Sequence, residues 1–255
     1  MRISIQRWIA AACTLALSTL LLAALLRPTA VSAGATWPDF VRFGGITYVA
    51  NGLNGGRALA TTDLGPVFAT VRFTVAGTIQ DPSYRPKDGD AALLPVGTPV
   101  YSVRGYRPSF RLAVRTRAGI VLYEADTNPR AKMGAELLDI AGKVRAIGIH
   151  CLPEGMARLA TITNPALVSA VVATILDAPV DQRRLEPGPA TYVLAFSLRD
   201  GSVVIRPYWS DVALLGRGIL LPPAFRAALD QGMRQVRASH QHCPVQASGG
   251  ASAHT

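Results

Sequence analysis

Lysine is nearly absent from this 255-residue chain: of 26 basic residues only Lys87, Lys132 and Lys143 are lysines, and no run of five like charges occurs. The lysine-rich blocks that mark many nucleic-acid-binding chains are missing, so no nucleic-acid partner is expected. Charge of either sign is sparse at 16%, against 49% hydrophobic residues, which excludes an intrinsically disordered chain. The motifs that announce catalysis or nucleotide binding are missing as well. No G-x-S-x-G elbow, H-E-x-x-H helix, S-x-x-K, phosphate-binding P-loop or G-x-G-x-x-G occurs. There is no internal repeat, and a single hydrophobic run approaches the length that spans a membrane.

That run occupies residues 8–26. Arg2 and Arg7 precede it, Arg27 and Pro28 follow it, and Val31-Ser32-Ala33 stands before Gly34. The order of basic segment, apolar segment and small-residue cleavage site is that of a secretory signal. At 19 residues the run is also close to the ~20 that cross a bilayer, so an uncleaved signal-anchor touching the membrane through residues 8–26 is the alternative. Arg2 and Arg7 then hold the N-terminus in the cytoplasm. Both readings predict an extracytoplasmic protein, secreted or anchored to the cytoplasmic membrane. Most of the apolar run follows Cys13, the wrong order for a lipoprotein. Beyond residue 33 only Cys151 and Cys243 remain, and an oxidising compartment favours one disulfide between them, with two unpaired thiols as the alternative.

The remainder reads as an α+β chain of antiparallel sheets with a few packed amphipathic helices behind the N-terminal export or anchor helix. Strands are expected at 46–49, 67–75, 99–103, 110–115 and 120–123, punctuated by Gly, Pro and Asn. In 110–115, Phe110, Leu112 and Val114 alternate with Arg111, Ala113 and Arg115, predicting a buried face and an arginine face. Gly119 suits the turn into the next strand. A hairpin is expected over 191–209, with Asp200-Gly201 as a two-residue turn pairing Leu198 with Val203, Phe196 with Ile205 and Tyr192 with Trp209. Asn164-Pro165 opens a helix with the stripe Leu167, Val168, Val171, Val172, Ile175 and Leu176. A second helix begins at Pro222-Pro223 and buries Phe225, Leu229, Met233 and Val236, weakened by Gly232. A shorter helical turn covers 131–138. The resulting organisation is an export segment (1–33), a strand-rich subdomain (34–142), a helix–hairpin–helix subdomain (143–238) and a disordered tail (239–255).

The exported part keeps +7 of the formal +10, since Arg2, Arg7 and Arg27 lie in the export segment. Arg104, Arg107, Arg111, Arg115 and Arg117 crowd into fourteen positions, interleaved with Tyr101, Tyr106 and Phe110. Arg111, Arg115 and Arg117 share strand parity, which predicts a cationic strip for anionic lipid headgroups or wall polymer; a plain solvated outer face is the alternative. The acidic loop Asp81 to Asp90 carries Asp88 as well, but it lacks the alternating oxygens of a calcium loop. Glu124, Asp126, Glu136 and Asp139 cluster in sequence; they serve a hydrolase only where folding brings two of them to one cleft, and a solvated loop and helix start is the expected reading. His150-Cys151 is half of a nucleophilic site, but neighbours on a strand face opposite ways. Zinc from His150, Cys151, His240, His242 and Cys243 lacks paired close spacings. No catalytic residue, metal or cofactor is therefore assigned.

Asp81-Pro82-Ser83-Tyr84-Arg85-Pro86-Lys87-Asp88-Gly89-Asp90, Gly97-Thr98-Pro99-Val100-Tyr101-Ser102-Val103-Arg104-Gly105-Tyr106, Glu124-Ala125-Asp126-Thr127-Asn128-Pro129 and Ala178-Pro179-Val180-Asp181-Gln182 together resemble a group of exported proteins from Gram-positive and related bacteria. The resemblance implies a signal-bearing bacterial envelope protein and names no catalytic residue. The leading expectation is a non-catalytic envelope protein that binds anionic or sugar-containing components. The alternatives are a carboxylate-dependent envelope hydrolase, using the Asp81 to Asp90 loop or Glu124 and Asp126, and a protein-interaction or inhibitor module.

Overall fold

The computed structural model describes residues 37–50, 57–81, 83–151, 158–183 and 187–236, all within one compact unit. Residues 8–26, Cys13, the tail from 239 and Cys243 lie outside them. The described chain is mostly antiparallel β-sheet with few helices. No helix among the described residues is long and apolar enough to cross a membrane.

The first sheet contains β1 (Phe40–Phe43), β2 (Ile46–Ala50), β3 (Leu64–Thr70), β4 (Phe73–Thr74), β5 (Asp90–Ala91), β6 (Pro99–Val103), β7 (Arg111–Thr116) and β8 (Gly119–Thr127). Their lateral order is β3-β6-β7-β8-β2-β1-β5-β4. The strands at the two ends of that order, β3 and β4, are consecutive in the chain and separated only by Val71 and Arg72. One stretch, residues 64–74, therefore pairs with β6 through its first part and with β5 through its second. The sheet closes on itself as a small barrel, its interior filled by Val41, Tyr48, Val100, Leu112, Val114 and Tyr123. Period-2 alternation drives this, because every second residue of β7 points into the barrel.

The second sheet contains β9 (Val144–Cys151), β10 (Arg158–Ile162), β11 (Tyr192–Leu198), β12 (Val203–Trp209), β13 (Leu214–Leu215) and β14 (Ile219–Leu220), ordered β10-β9-β11-β12-β13-β14. Three helices accompany it: α1 (Gly134–Leu137), α2 (Pro165–Leu176) and α3 (Ala224–Val236). Asn164 caps α2 as the sequence predicts, its side-chain oxygen accepting from the Leu167 backbone N–H at 3.0 Å. Val168, Val171, Val172, Ile175 and Leu176 are buried against the sheet. In α3, Phe225 and Leu229 are buried and Met233 packs beside them. Gly232 does more than weaken α3: a Cβ there would lie 2.6 Å from Ile162 Cδ1, so the glycine lets the helix close on β10.

Two expectations are corrected. The segment from Lys143 is not helix–hairpin–helix alone, because β9 and β10 precede α2, and β9 is the strand on which β10 and β11 pair. The hairpin register is also shifted by one. Ser197 pairs with Val203, Phe196 with Val204 and Tyr192 with Tyr208, across a three-residue loop in which Gly201 has φ +87°. One residue of slip turns every side chain to the other face, so Val204 and Tyr208 enter the core instead of Val203 and Ile205.

Candidate functional site

The seven residues singled out from the sequence do not form one surface. Arg111 and Arg115 share a face of β7, but Arg111 is only 1% exposed. The expected strip of Arg111, Arg115 and Arg117 is therefore broken: the β11–β12 turn lies over Arg111, a contact between residues 91 apart in sequence that strand parity cannot reveal.

Around Arg111 the two sheets meet in a polar seam. Arg111 Nη1 donates to Ser202 Oγ at 2.8 Å, and Nη2 lies 3.5 Å from Glu124 Oε1. Ser202 N and Oγ donate to Asp200 Oδ1 at 2.9 and 2.7 Å, and Tyr106 OH donates to Asp200 Oδ2 at 2.7 Å. The guanidinium also lies 4.5 Å above the Tyr106 ring and 5.0 Å above Phe110. Burial, then the Asp200 bond, push the Tyr106 hydroxyl up to about 12. Burial alone would raise Asp200, but the Tyr106 and Ser202 hydrogen bonds and nearby Arg111 outweigh it and hold the carboxyl below its ordinary value. Farther along β8, Asp126 pairs with Arg217, and both Glu124 and Asp126 act on Arg206.

The linkage sign for Asp200 follows from that lowering. Its stabilising contribution is complete above the unfolded value of about 3.9 and is lost as pH falls through the lower folded value. Asp200→Asn is thus expected to lower the urea midpoint at pH 7 and to differ much less from the parent at pH 3. Equal deficits at both pH values would remove Asp200 from the seam's electrostatics.

Arg107 is occupied with Asp139, its backbone N–H donating to Oδ2 at 2.7 Å and Nε lying 3.7 Å away. Arg104 Nε donates to the Leu64 carbonyl at 3.0 Å. Arg115 and Arg117 are different: both are exposed, and no described carboxylate forms an ion pair with either. The Arg115 guanidinium sits 5.3 Å from the Tyr101 ring centroid on the barrel's outer face. Tyr101 belongs there to a partly buried group with Leu59, Tyr106, Ile120 and Leu122.

The candidate hydrolytic carboxylates are committed elsewhere. Asp81 accepts from Ser83 N and Oγ, Asp88 from Gly45 N, and buried Asp90 from Tyr84 OH and Lys87 N. Glu136 accepts from the Lys132 and Met133 backbone, which lowers its proton affinity. An open hollow of about 440 Å³ beside the end of α2 is lined by Thr174, Asp177, Pro179, Leu221 and Pro222, with one carboxylate among them. Among the described residues no three His, Cys, Asp or Glu side chains are grouped to hold a metal. Cys151, at the end of β9, is buried and disulfide-bonded. The other cysteines, Cys13 and Cys243, are outside the described residues. Comparison with known proteins finds no match to a family model, a curated protein or a solved structure.

Proposed function

We propose that this is an exported, non-catalytic α+β protein, secreted or held at the membrane by residues 8–26, that binds phosphate-bearing envelope components through the outer face of its barrel. The observation that carries the reading is the pair Arg115 and Arg117, exposed and free of described acidic partners, with Arg115 stacked over Tyr101. Guanidinium groups left without a carboxylate and held at a surface are suited to phosphate oxygens. The ring beneath Arg115 restricts its orientations and lowers the entropy lost on binding. A sugar reading is less favoured, since the guanidinium lies across the Tyr101 face a sugar would stack on. Hydrolysis is less favoured because Glu124, Asp126, Asp88 and Asp90 already serve protein partners.

The full chain in a neutral detergent, titrated with inorganic polyphosphate, tests this. Binding is expected and weakens as salt rises. At ~1 kcal/mol for each basic residue near a charged surface, Arg115→Ser together with Arg117→Ser is expected to weaken it by roughly thirty-fold. Unchanged affinity in that double variant rejects the assignment.

A further inference from the structure

The strand registers place several features at one end of the barrel. Phe40, where β1 begins, pairs beside Val49 near the end of β2, and Ala50 pairs with Tyr123, so β8 also starts at this end. Thr116 pairs with Gly119 across the Arg117-Ala118 turn, which puts the β7–β8 tip there. Val100 pairs with Val114 and Thr70 with Pro99, adding the start of β6 and the end of β3. The loop over residues 92–98 runs from the end of β5 to the start of β6 across the same end, tied to β1 by Ala92 N donating to Phe40 O at 2.8 Å.

That loop is apolar and firmly built. Residues 91–103 contain no charge. Leu94 is buried in the barrel core, Gly97 N donates to Val71 O at 2.9 Å, and Thr74 Oγ1 donates to Leu94 O at 2.7 Å. Leu93 and Val96 nevertheless point outward at 57% and 63% exposure, two of the five large apolar side chains exposed among the described residues. A fixed loop that presents two large apolar groups at the same barrel end as two arginines without described carboxylate partners has the composition of an interfacial membrane contact. The described chain also enters at this end, at Trp37, with ten residues between it and the 19-residue apolar run. Ten residues reach at most about 35 Å, so a chain held in a bilayer by that run keeps this end of the barrel within reach of the lipid surface.

We propose that this end of the barrel seats on an anionic lipid bilayer, with Leu93 and Val96 entering the headgroup region and Arg115 and Arg117 contacting lipid phosphates. The inference deepens the phosphate-binding reading by naming lipid as the source of the phosphate.

The test uses the full chain reconstituted into vesicles, with Trp8→Phe to remove the tryptophan of the apolar run. Leu93→Trp adds a reporter at an exposed position, and unchanged circular dichroism checks that the barrel is intact. The emission added at position 93 is expected to be quenched at least about twofold by shallow brominated phospholipid and shielded from aqueous iodide, more so with phosphatidylglycerol than with phosphatidylcholine alone. Arg115→Ser with Arg117→Ser should remove that dependence on anionic lipid. Full iodide access with no bromolipid quenching overturns the membrane contact; if polyphosphate binding still needs Arg115 and Arg117, the phosphate reading survives and its target is a polymer. Quenching that ignores both lipid charge and the two arginines overturns the phosphate contact while keeping the loop in the bilayer.

Discussion

Arg111→Ala is expected to cost about 3–5 kcal/mol of stability. Arg111 is 1% exposed and its partners are Ser202 and Glu124, which is itself 6% exposed. Truncation takes from Glu124, in a place water scarcely reaches, one of the two arginines that act on it, Arg206 being the other, and strips Ser202 of a donor. The penalty is that of removing one partner from a buried ion pair, far above the value of an exposed one. A control separates this from lost packing: Arg111→Met keeps most of the volume and removes only the charge and its hydrogen bonds, so it should lose nearly as much as the alanine variant. Urea unfolding with unchanged slope is the measurement. A deficit under about 1 kcal/mol for the alanine variant would falsify the seam as an electrostatic junction.

Phe110→Ala should be comparably severe, about 3–5 kcal/mol, the usual cost of emptying an aromatic site in a core. Phe110 directly precedes β7 of the barrel, yet it is fully buried among Leu138, Ile147, Leu198 and Val204 of the second sheet's core. Its ring also lies 6.0 Å from Tyr106 and beneath Arg111. A side chain shared in this way couples the barrel to the second sheet. The parent is accordingly expected to unfold in one transition, and Phe110→Ala to lower the midpoint followed by far-UV and near-UV signals together. Two separate transitions, with one unmoved by the variant, would show that the sheets do not share a core.

The helices were the most legible elements, because their signals are local. Asn164-Pro165 and a stripe of six apolar residues define α2 without any tertiary information, and the structure starts α2 at Pro165. The β6 strand was equally clear at 99–103. What escaped depended on distant partners. Val144–Cys151 carries polar residues at both ends of a glycine-interrupted apolar run, and its identity as a central strand comes from pairing with β10 and β11. Asp200-Gly201 fits a two-residue turn as well as the three-residue loop observed, and the choice is made where Asp200 bonds Ser202. Arg111 had the parity of a surface residue, which is correct for direction and wrong for exposure. Of the proposed surface, the interleaving of arginine and tyrosine pointed to the Arg115–Tyr101 contact, whereas the placing of Leu93 and Val96 at the same barrel end as the Arg117 turn required the strand registers.

The bend at Val71 and Arg72 also bears on how the molecule meets its neighbours. An open sheet presents unsatisfied N–H and C=O groups along its outer strands, a template for adding a strand from another copy. Residues 64–74 pair with β6 through their first part and with β5 through their second, so among the described strands β3 keeps one side open over seven mostly exposed residues, interrupted by Pro66, which has no N–H. The rims of the second sheet are shorter or bridged. β14 has two residues, with Val180 bridging Ile219 and Leu220 N donating to Pro179 O, and β10 has five residues beginning at a charged arginine. The backbone open to another copy is thus concentrated along residues 64–70, where Val67 and Phe68 are also exposed.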